Sequence, residues 1–158
     1  MFRHAIRAAR PLRASAVRSY ATEASTLRVS LVAPHQALLN KFEATQVNLA
    51  SSEGDMGILA EHVPTIAQLK PGPIEIFSAS EKSQKFFVSG GFAIINPDST
   101  LNINAVEAFP LEDIDAEAAR RGAEDANRRS TAAATEQERV IAKIELEVYE
   151  ALVAAVGK

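Results

Sequence analysis

Polar and apolar residues alternate through most of the segment from Leu27 to Phe109. Leu27, Val29, Leu31 and Ala33 take turns with Arg28, Ser30 and Val32. Val47 and Leu49 flank Asn48, and Ile74 and Ile76 flank Glu75. Leu101, Ile103 and Ala105 alternate with Asn102 and Asn104. A period of two places one set of side chains on a buried face and the other toward water, which predicts half-buried strands. Pro34, Gly54, Gly57, Pro64, Pro71-Gly72-Pro73, Gly90-Gly91 and Asn96-Pro97-Asp98 separate the runs. Many short strands between breakers predict a beta-sandwich or flattened barrel. Gly90-Gly91 interrupts an apolar stretch, which predicts a bend, a bulge or a close backbone approach.

Beyond Pro110 the period changes. Gly122 is the only Gly or Pro between Leu111 and Val156. A first helix is predicted from about Glu112 to Ser130, with Asp113 and Asp115 suited to its N-terminus. Ala116, Ala119, Ala123, Ala126 and Ser130 form one stripe of small residues, which permits close approach by another helix. Residues 131–134 read as a turn, and Thr135 with Glu138 reads as a capping box for a second helix. That helix carries two apolar stripes. One is Ile141, Ile144, Val148, Leu152 and Ala155; the other is Leu146, Tyr149, Val153 and Val156. One stripe suffices for an antiparallel hairpin. The other either marks an interaction site or folds back on the sandwich. The fold class is therefore an N-terminal beta-sandwich, residues 27–110, followed by a C-terminal antiparallel helical hairpin, residues 111–158.

Charge adds a third segment. The 158 residues carry a formal net charge of −3. Residues 1–20 hold Arg3, Arg7, Arg10, Arg13 and Arg18 and no acid, so the remainder is strongly acidic. An Arg-rich, acid-free leader with Ala and Ser fits a mitochondrial presequence. Arg18-Ser19-Tyr20 followed by Ala21 places processing at Tyr20–Ala21, with residues 21–26 a flexible start to the mature chain. The acidic body argues against non-specific nucleic-acid binding, which needs cations facing phosphate. Cysteine is absent, which excludes disulfides, thiol catalysis and Cys-ligated metals. Apolar runs such as 92–95 are too short to span a bilayer, so direct membrane insertion is not expected.

Catalytic chemistry is sparse. His35 and His62 stand far apart with no carboxylate at a metal-like spacing. Ser89-Gly90-Gly91 lacks the nucleophile-elbow pattern, and no dinucleotide or P-loop motif is present. No catalytic, cofactor or metal residue is expected. A matrix enzyme using His35 or His62 as a metal ligand is the reading that weak ligand spacing disfavours.

The loop residues carry a resemblance. Ser52-Glu53-Gly54-Asp55-Met56-Gly57-Ile58-Leu59-Ala60-Glu61-His62-Val63-Pro64, continuing to Leu69-Lys70-Pro71-Gly72, resembles the delta-subunit family of mitochondrial F-type ATP synthase, the counterpart of the bacterial epsilon subunit. Phe87-Val88-Ser89-Gly90-Gly91-Phe92, Glu107-Ala108-Phe109, Ile144-Glu145 and Glu150-Ala151-Leu152-Val153 are similar too. The resemblance covers essentially all of residues 27–156, in order.

It implies a central-stalk rotor subunit without an active site or cofactor. Such a subunit is peripheral to the inner membrane on the matrix side. Its partners are the gamma subunit, the small mitochondrial epsilon subunit and the c ring, and it helps carry torque from proton flow to ATP synthesis. The segment Glu53, Gly54, Asp55, Met56, Gly57, Ile58, Glu61 and His62 is implied as a ring-facing loop. Gly54 and Gly57 would permit tight turning. Leu146, Tyr149, Val153 and Val156 are left to dock either the sandwich or a partner, gamma or the small epsilon subunit.

One departure concerns regulation. Many bacterial relatives carry Ile/Leu-Asp-x-x-Arg-Ala at the start of the first helix and bind ATP there. Here the segment is Ile114-Asp115-Ala116-Glu117-Ala118-Ala119, with Ala118 in the Arg position. The cation that would meet phosphate is missing, so the alternative of a nucleotide-sensing regulatory subunit is disfavoured.

Overall fold

The computed structural model describes residues 26–80 and 82–157. The expected presequence, its Tyr20–Ala21 processing site and the stretch 21–25 lie outside the described residues. Ten strands come first: β1 Leu27–Ala33, β2 Gln36–Ala44, β3 Gln46–Ser51, β4 Gly54–Leu59, β5 Thr65–Leu69, β6 Gly72–Phe77, β7 Gln84–Val88, β8 Gly91–Ile95, β9 Thr100–Ala105 and β10 Ala108–Pro110. A 3-10 turn, Leu111–Asp113, leads into α1 Ala116–Ala132 and α2 Glu136–Val156.

Strand pairing follows the order β10-β7-β6-β3-β5-β8-β9-β1-β2, with β4 beside β3. The β3–β5 connection rests on one pair, Ser51 opposite Leu69. At that point the ladder turns over into two layers with their apolar faces inward. The alternating residues supply those faces. Leu27, Val29 and Leu31, Val47, Ile74 and Ile76, and Leu101 and Ile103 are all fully buried. Ladder pairing is antiparallel except between β1 and β9, where Val29 lies opposite Leu101 in parallel.

Gly90-Gly91 marks a close backbone approach. Both residues have positive φ, 143° and 141°. A Cβ on Gly91 would sit 2.1 Å from the Asn104 carbonyl oxygen, so no other residue fits there without moving β9.

The helices pack differently. Buried residues are Ala119 and Ala126 on α1 and Ala142 and Ala155 on α2. The first helix starts four residues later than its acidic residues suggested. Asp115 itself is the N-cap, and its Oδ1 accepts from the amides of Glu117 (2.8 Å) and Ala118 (3.3 Å). The preceding acids, Glu112 and Asp113, belong to the 3-10 turn. The capping box of α2 is present: Thr135 Oγ1 accepts from the Glu138 amide, and Glu138 accepts from the Thr135 amide. The C-terminal part of α2 lies beside β6, where Ala151, Ala154 and Ala155 share a cleft with Gly72, Pro73 and Glu75.

Candidate functional site

The segment expected as a single ring-facing loop is mostly a strand. Residues 54–59 form β4, paired antiparallel with β3 from Ser51–Gly54 to Gln46–Leu59. Only Ser52 and Glu53 turn between the two strands. Ser51 Oγ closes that turn, donating to the Gly54 carbonyl at 2.7 Å and accepting from the Glu53 amide at 3.2 Å. Gly54 has φ 136° with open space around its Cα, so backbone conformation rather than crowding calls for glycine there. Glu53 and Asp55 are exposed at this tip, and Lys70 Nζ stands 3.8 Å from Asp55.

The strand's alternation corrects two expectations. Ile58 points inward and is fully buried, so it offers nothing to a partner; Met56 packs half-buried against the same core. Gly57 lies mid-strand with no positive φ. It faces the side chains of Gln46 and Asn48, which hydrogen-bond to each other at 2.7 Å. Its place is under an amide pair, not in a turn.

Glu61 and His62 stand at the opposite end of β4. Six residues at a strand rise put them about 20 Å from the Glu53–Asp55 tip. This second tip has its own bracing. The Glu61 amide donates to Ser99 Oγ at 2.9 Å, and both residues adopt left-handed backbone, φ 61° and 56°. His62 Nδ1 lies 2.8 Å from the Val63 carbonyl oxygen. Beside Ser99, Asp98 accepts from Thr100 Oγ1 at 2.6 Å, and that bond is the main cause holding its carboxyl below the ordinary value. Arg28 adds a contact at 3.5 Å. No sequence signal announces the Glu61–Ser99 bond, because 38 residues separate the partners and neither is a glycine.

The apolar stripes of α2 are placed differently from expectation. A Cβ on Gly122 would lie 2.4 Å from the Tyr149 ring, so Tyr149 fills the notch that Gly122 leaves in α1. Leu146, Val153 and Val156 are half-buried. The most exposed large apolar side chains of α2 are Val140, Ile141 and Ile144, at 45, 49 and 59%. The stripe left to dock the sandwich or a partner thus has Tyr149 engaged inside the hairpin, and of the other stripe only Ile141 and Ile144 are exposed, while Val148 and Leu152 are half-buried and Ala155 is buried. Arg129 of α1 bridges to Glu145 of α2 and to Asp125, and both carboxylates, Glu145 foremost, raise its pKa.

An open cleft of about 720 Å³ separates the end of α2 from the sandwich, lined by Lys82, Phe86, Leu111 and Val156 among others. Ala118 leaves the first turn of α1 without a cation, Arg120 pairs with Glu117, and the Asp115 carboxylate is engaged as a cap. His35 is exposed in the β1–β2 turn, and among the described residues no cluster of three metal-ligating side chains occurs. No helix of the described residues is long and apolar enough to cross a membrane.

Comparisons with known proteins bear on this geometry. Residues 26–110 match the family described as the ATP synthase delta/epsilon chain, beta-sandwich domain. A protein of Yarrowia lipolytica named ATP synthase subunit delta, mitochondrial, is 48% identical over 95% of this chain and 94% of its own length. One of the same name from Pichia angusta is 45% identical over 99% of each. Among solved structures, a chain of the Euglena gracilis mitochondrial ATP synthase, in an assembly of OSCP, F1 and c-ring, aligns with TM-score 0.77 and 34% identity. That alignment covers 82% of this chain and 81% of that one.

Proposed function

Because this chain belongs to the ATP synthase delta/epsilon family, we propose that it is the rotor-foot subunit of the mitochondrial proton-transporting ATP synthase. It is a non-catalytic subunit. It joins the gamma subunit to the c ring, binds the small epsilon subunit, and helps transmit torque from proton flow to ATP synthesis. Its place is peripheral to the inner membrane on the matrix side.

The observation that carries this reading is the β3–β4 tip on a rigid sandwich. Glu53, Gly54 and Asp55 form a short, hydrogen-bonded, charged turn at the end of a two-layer body. A foot that transmits load needs a stiff body and a projecting contact, and the closed core provides the stiffness. The ring-facing role is therefore assigned to the Glu53–Asp55 end of β4. A nucleotide-sensing role has less support, since Ala118 supplies no cation and the Asp115 carboxylate caps α1.

The test is charge reversal at the tip, Glu53→Lys with Asp55→Lys, in the assembled enzyme. The expected outcome is ATP hydrolysis by the head that no longer pumps protons, with weakened retention of the head on the ring. Wild-type pumping and retention in that variant would refute the assignment.

A further inference from the structure

Two Arg-Arg pairs occur in the chain, both on α1, and only one leads into a hydroxyl. Arg120-Arg121 is followed by Gly122-Ala123, whereas Arg128-Arg129 is followed by Ser130-Thr131. The second pair sets cations two and three residues before Thr131. A hydroxyl so placed suits the peptide groove of a protein kinase whose carboxylates take arginine, because guanidinium–carboxylate pairs supply both register and affinity.

Position in the fold makes this hydroxyl reachable. Thr131 is the last residue but one of α1, and both it and Arg128 are exposed. Ala126 is the last residue that α1 buries, so the turn beyond it can unwind without uncovering core. A kinase groove takes its peptide extended, and Arg128 to Ala132 is the stretch that has to unwind. Local bonds hold that stretch. Thr131 Oγ1 donates back to the carbonyls of Arg128 (2.9 Å) and Asn127 (3.2 Å), and Ser130 Oγ donates to that of Asn127 (2.8 Å). Such back-bonds compete with the helix ladder rather than extend it. The ionic tie from this turn to α2 is Arg129, which bridges to Glu145 as well as to Asp125. None of the ion pairs among the described residues involves Arg128, so one of the two cations is at hand before unwinding begins.

We propose that Thr131 is a phosphorylation site for an arginine-directed protein kinase, and that the phosphate opens the loop end of the hairpin. The co-reactant is ATP. The bond from Thr131 Oγ1 to the γ-phosphorus forms, the bond from that phosphorus to the β,γ-bridging oxygen breaks, ADP leaves, and the hydroxyl proton passes to the kinase's base. The product carries about −1.5 to −2 charges at neutral pH, at a helix end where unpaired carbonyls already concentrate negative potential. It has also lost the proton that the hydroxyl gave to two carbonyls. Arg128, one turn back on the same face, is the cation placed to meet the phosphate. Arg129 lies within the turn that melts, so its bridge to Glu145 is given up with that turn. Tyr149 in the Gly122 notch lies toward the other end of the hairpin and stays in place. The inference goes beyond the rotor-foot reading and does not depend on it.

The experiment treats the full chain with an arginine-directed serine/threonine kinase and ATP, and locates the acceptor by fragment mass spectrometry. One phosphate on Thr131 is expected; no phosphate, or a phosphate on Ser130 or Thr135 instead, overturns the proposal. Arg128→Ala with Arg129→Ala should lower the rate by about tenfold or more, the worth of one charge-assisted contact. That variant separates recognition from exposure, because losing the Arg129 bridge also loosens the turn. An unchanged or faster rate would mean that exposure alone decides, and overturns the proposal. Arg120→Ala with Arg121→Ala should keep the wild-type rate, and an equal loss there counts against the site in the same way. Hydrogen exchange on the phosphorylated chain reads the consequence. Residues 128–132 and the first turn of α2 should lose protection while β6 and β9 keep theirs; unchanged exchange in the hairpin overturns the opening.

Discussion

The sandwich and the hairpin solve the packing problem in opposite ways. The sandwich buries Leu27, Leu31, Ile58, Ile74, Ile76, Leu101 and Ile103 completely. Each such side chain contributes about 1.5–3 kcal/mol on leaving water. The hairpin's buried residues are four alanines, with Gly122 admitting the Tyr149 ring. Alanines bring helices close but remove little apolar area from water. The sandwich thus has a closed interior even though Val63 and Ile66 lie on its surface, while the hairpin buries no large side chain fully and leaves Val140, Ile141 and Ile144 in solvent. The difference separates a part that must stay rigid from a part that depends on its surroundings.

The strongest challenge to that contrast is Gly91→Ala. The added Cβ meets the Asn104 carbonyl oxygen at 2.1 Å, on backbone that L-residues avoid. Backbone strain and forced displacement of β9 each cost about 2 kcal/mol, so about 4 kcal/mol of global stability should disappear. Denaturant unfolding followed on the sandwich checks this. A loss below about 1 kcal/mol would mean that the two layers yield easily, contrary to a rigid body.

A smaller effect is expected in the hairpin from Gly122→Ala. The new methyl overlaps the Tyr149 ring at 2.4 Å. Crowding costs about 1–3 kcal/mol, while helix propensity returns about 1. The net loss is about 1 kcal/mol and local. Hydrogen exchange should show α1 and α2 amides losing protection while β1, β6 and β9 keep theirs. Adding Tyr149→Leu should restore part of the protection, because the smaller side chain vacates the notch. Equal loss of protection throughout the chain would erase the distinction between the two regions.

The legibility of the sequence followed the same division. Period-two runs identified β1, β3, β6 and β9, because a strand with one dry face imposes that pattern. β2 was not separately legible, since it lies at the end of the ladder and its residues are mostly exposed or half-buried. β4 hid inside a glycine-bearing motif that reads as a loop. Gly54 does turn, but Gly57 sits within the strand, and composition alone does not distinguish the two. In the hairpin the capping box was plain, because it is a local pattern of four residues. Which α2 stripe meets α1 was not, because Gly122 takes a side chain from 27 positions away. The charged Glu53–Asp55 turn was legible as part of a motif, whereas the meeting of Ile66 with Ile94 on the outer face of the sheet required strand register.

Thr135→Ala should produce the smallest change and the finest division between the regions. It removes the acceptor for the Glu138 amide and one side of the reciprocal cap on α2. At an exposed helix start such a capping loss falls at the low end of its range, about 0.5 kcal/mol. The cap lies at the loop end of the hairpin, remote in sequence from the contact between the C-terminal part of α2 and the sandwich. Fraying should therefore reach the first turn of α2, near Gln137–Val140, and stop before Tyr149. Amide exchange residue by residue decides it, and Thr135→Ser should retain most of the wild-type protection because its hydroxyl can still accept. Fraying that runs through Tyr149 to Ala155 would mean that the hairpin has no packing of its own between cap and sandwich. The Gly122–Tyr149 contact would then be too weak to serve as the hairpin's internal anchor.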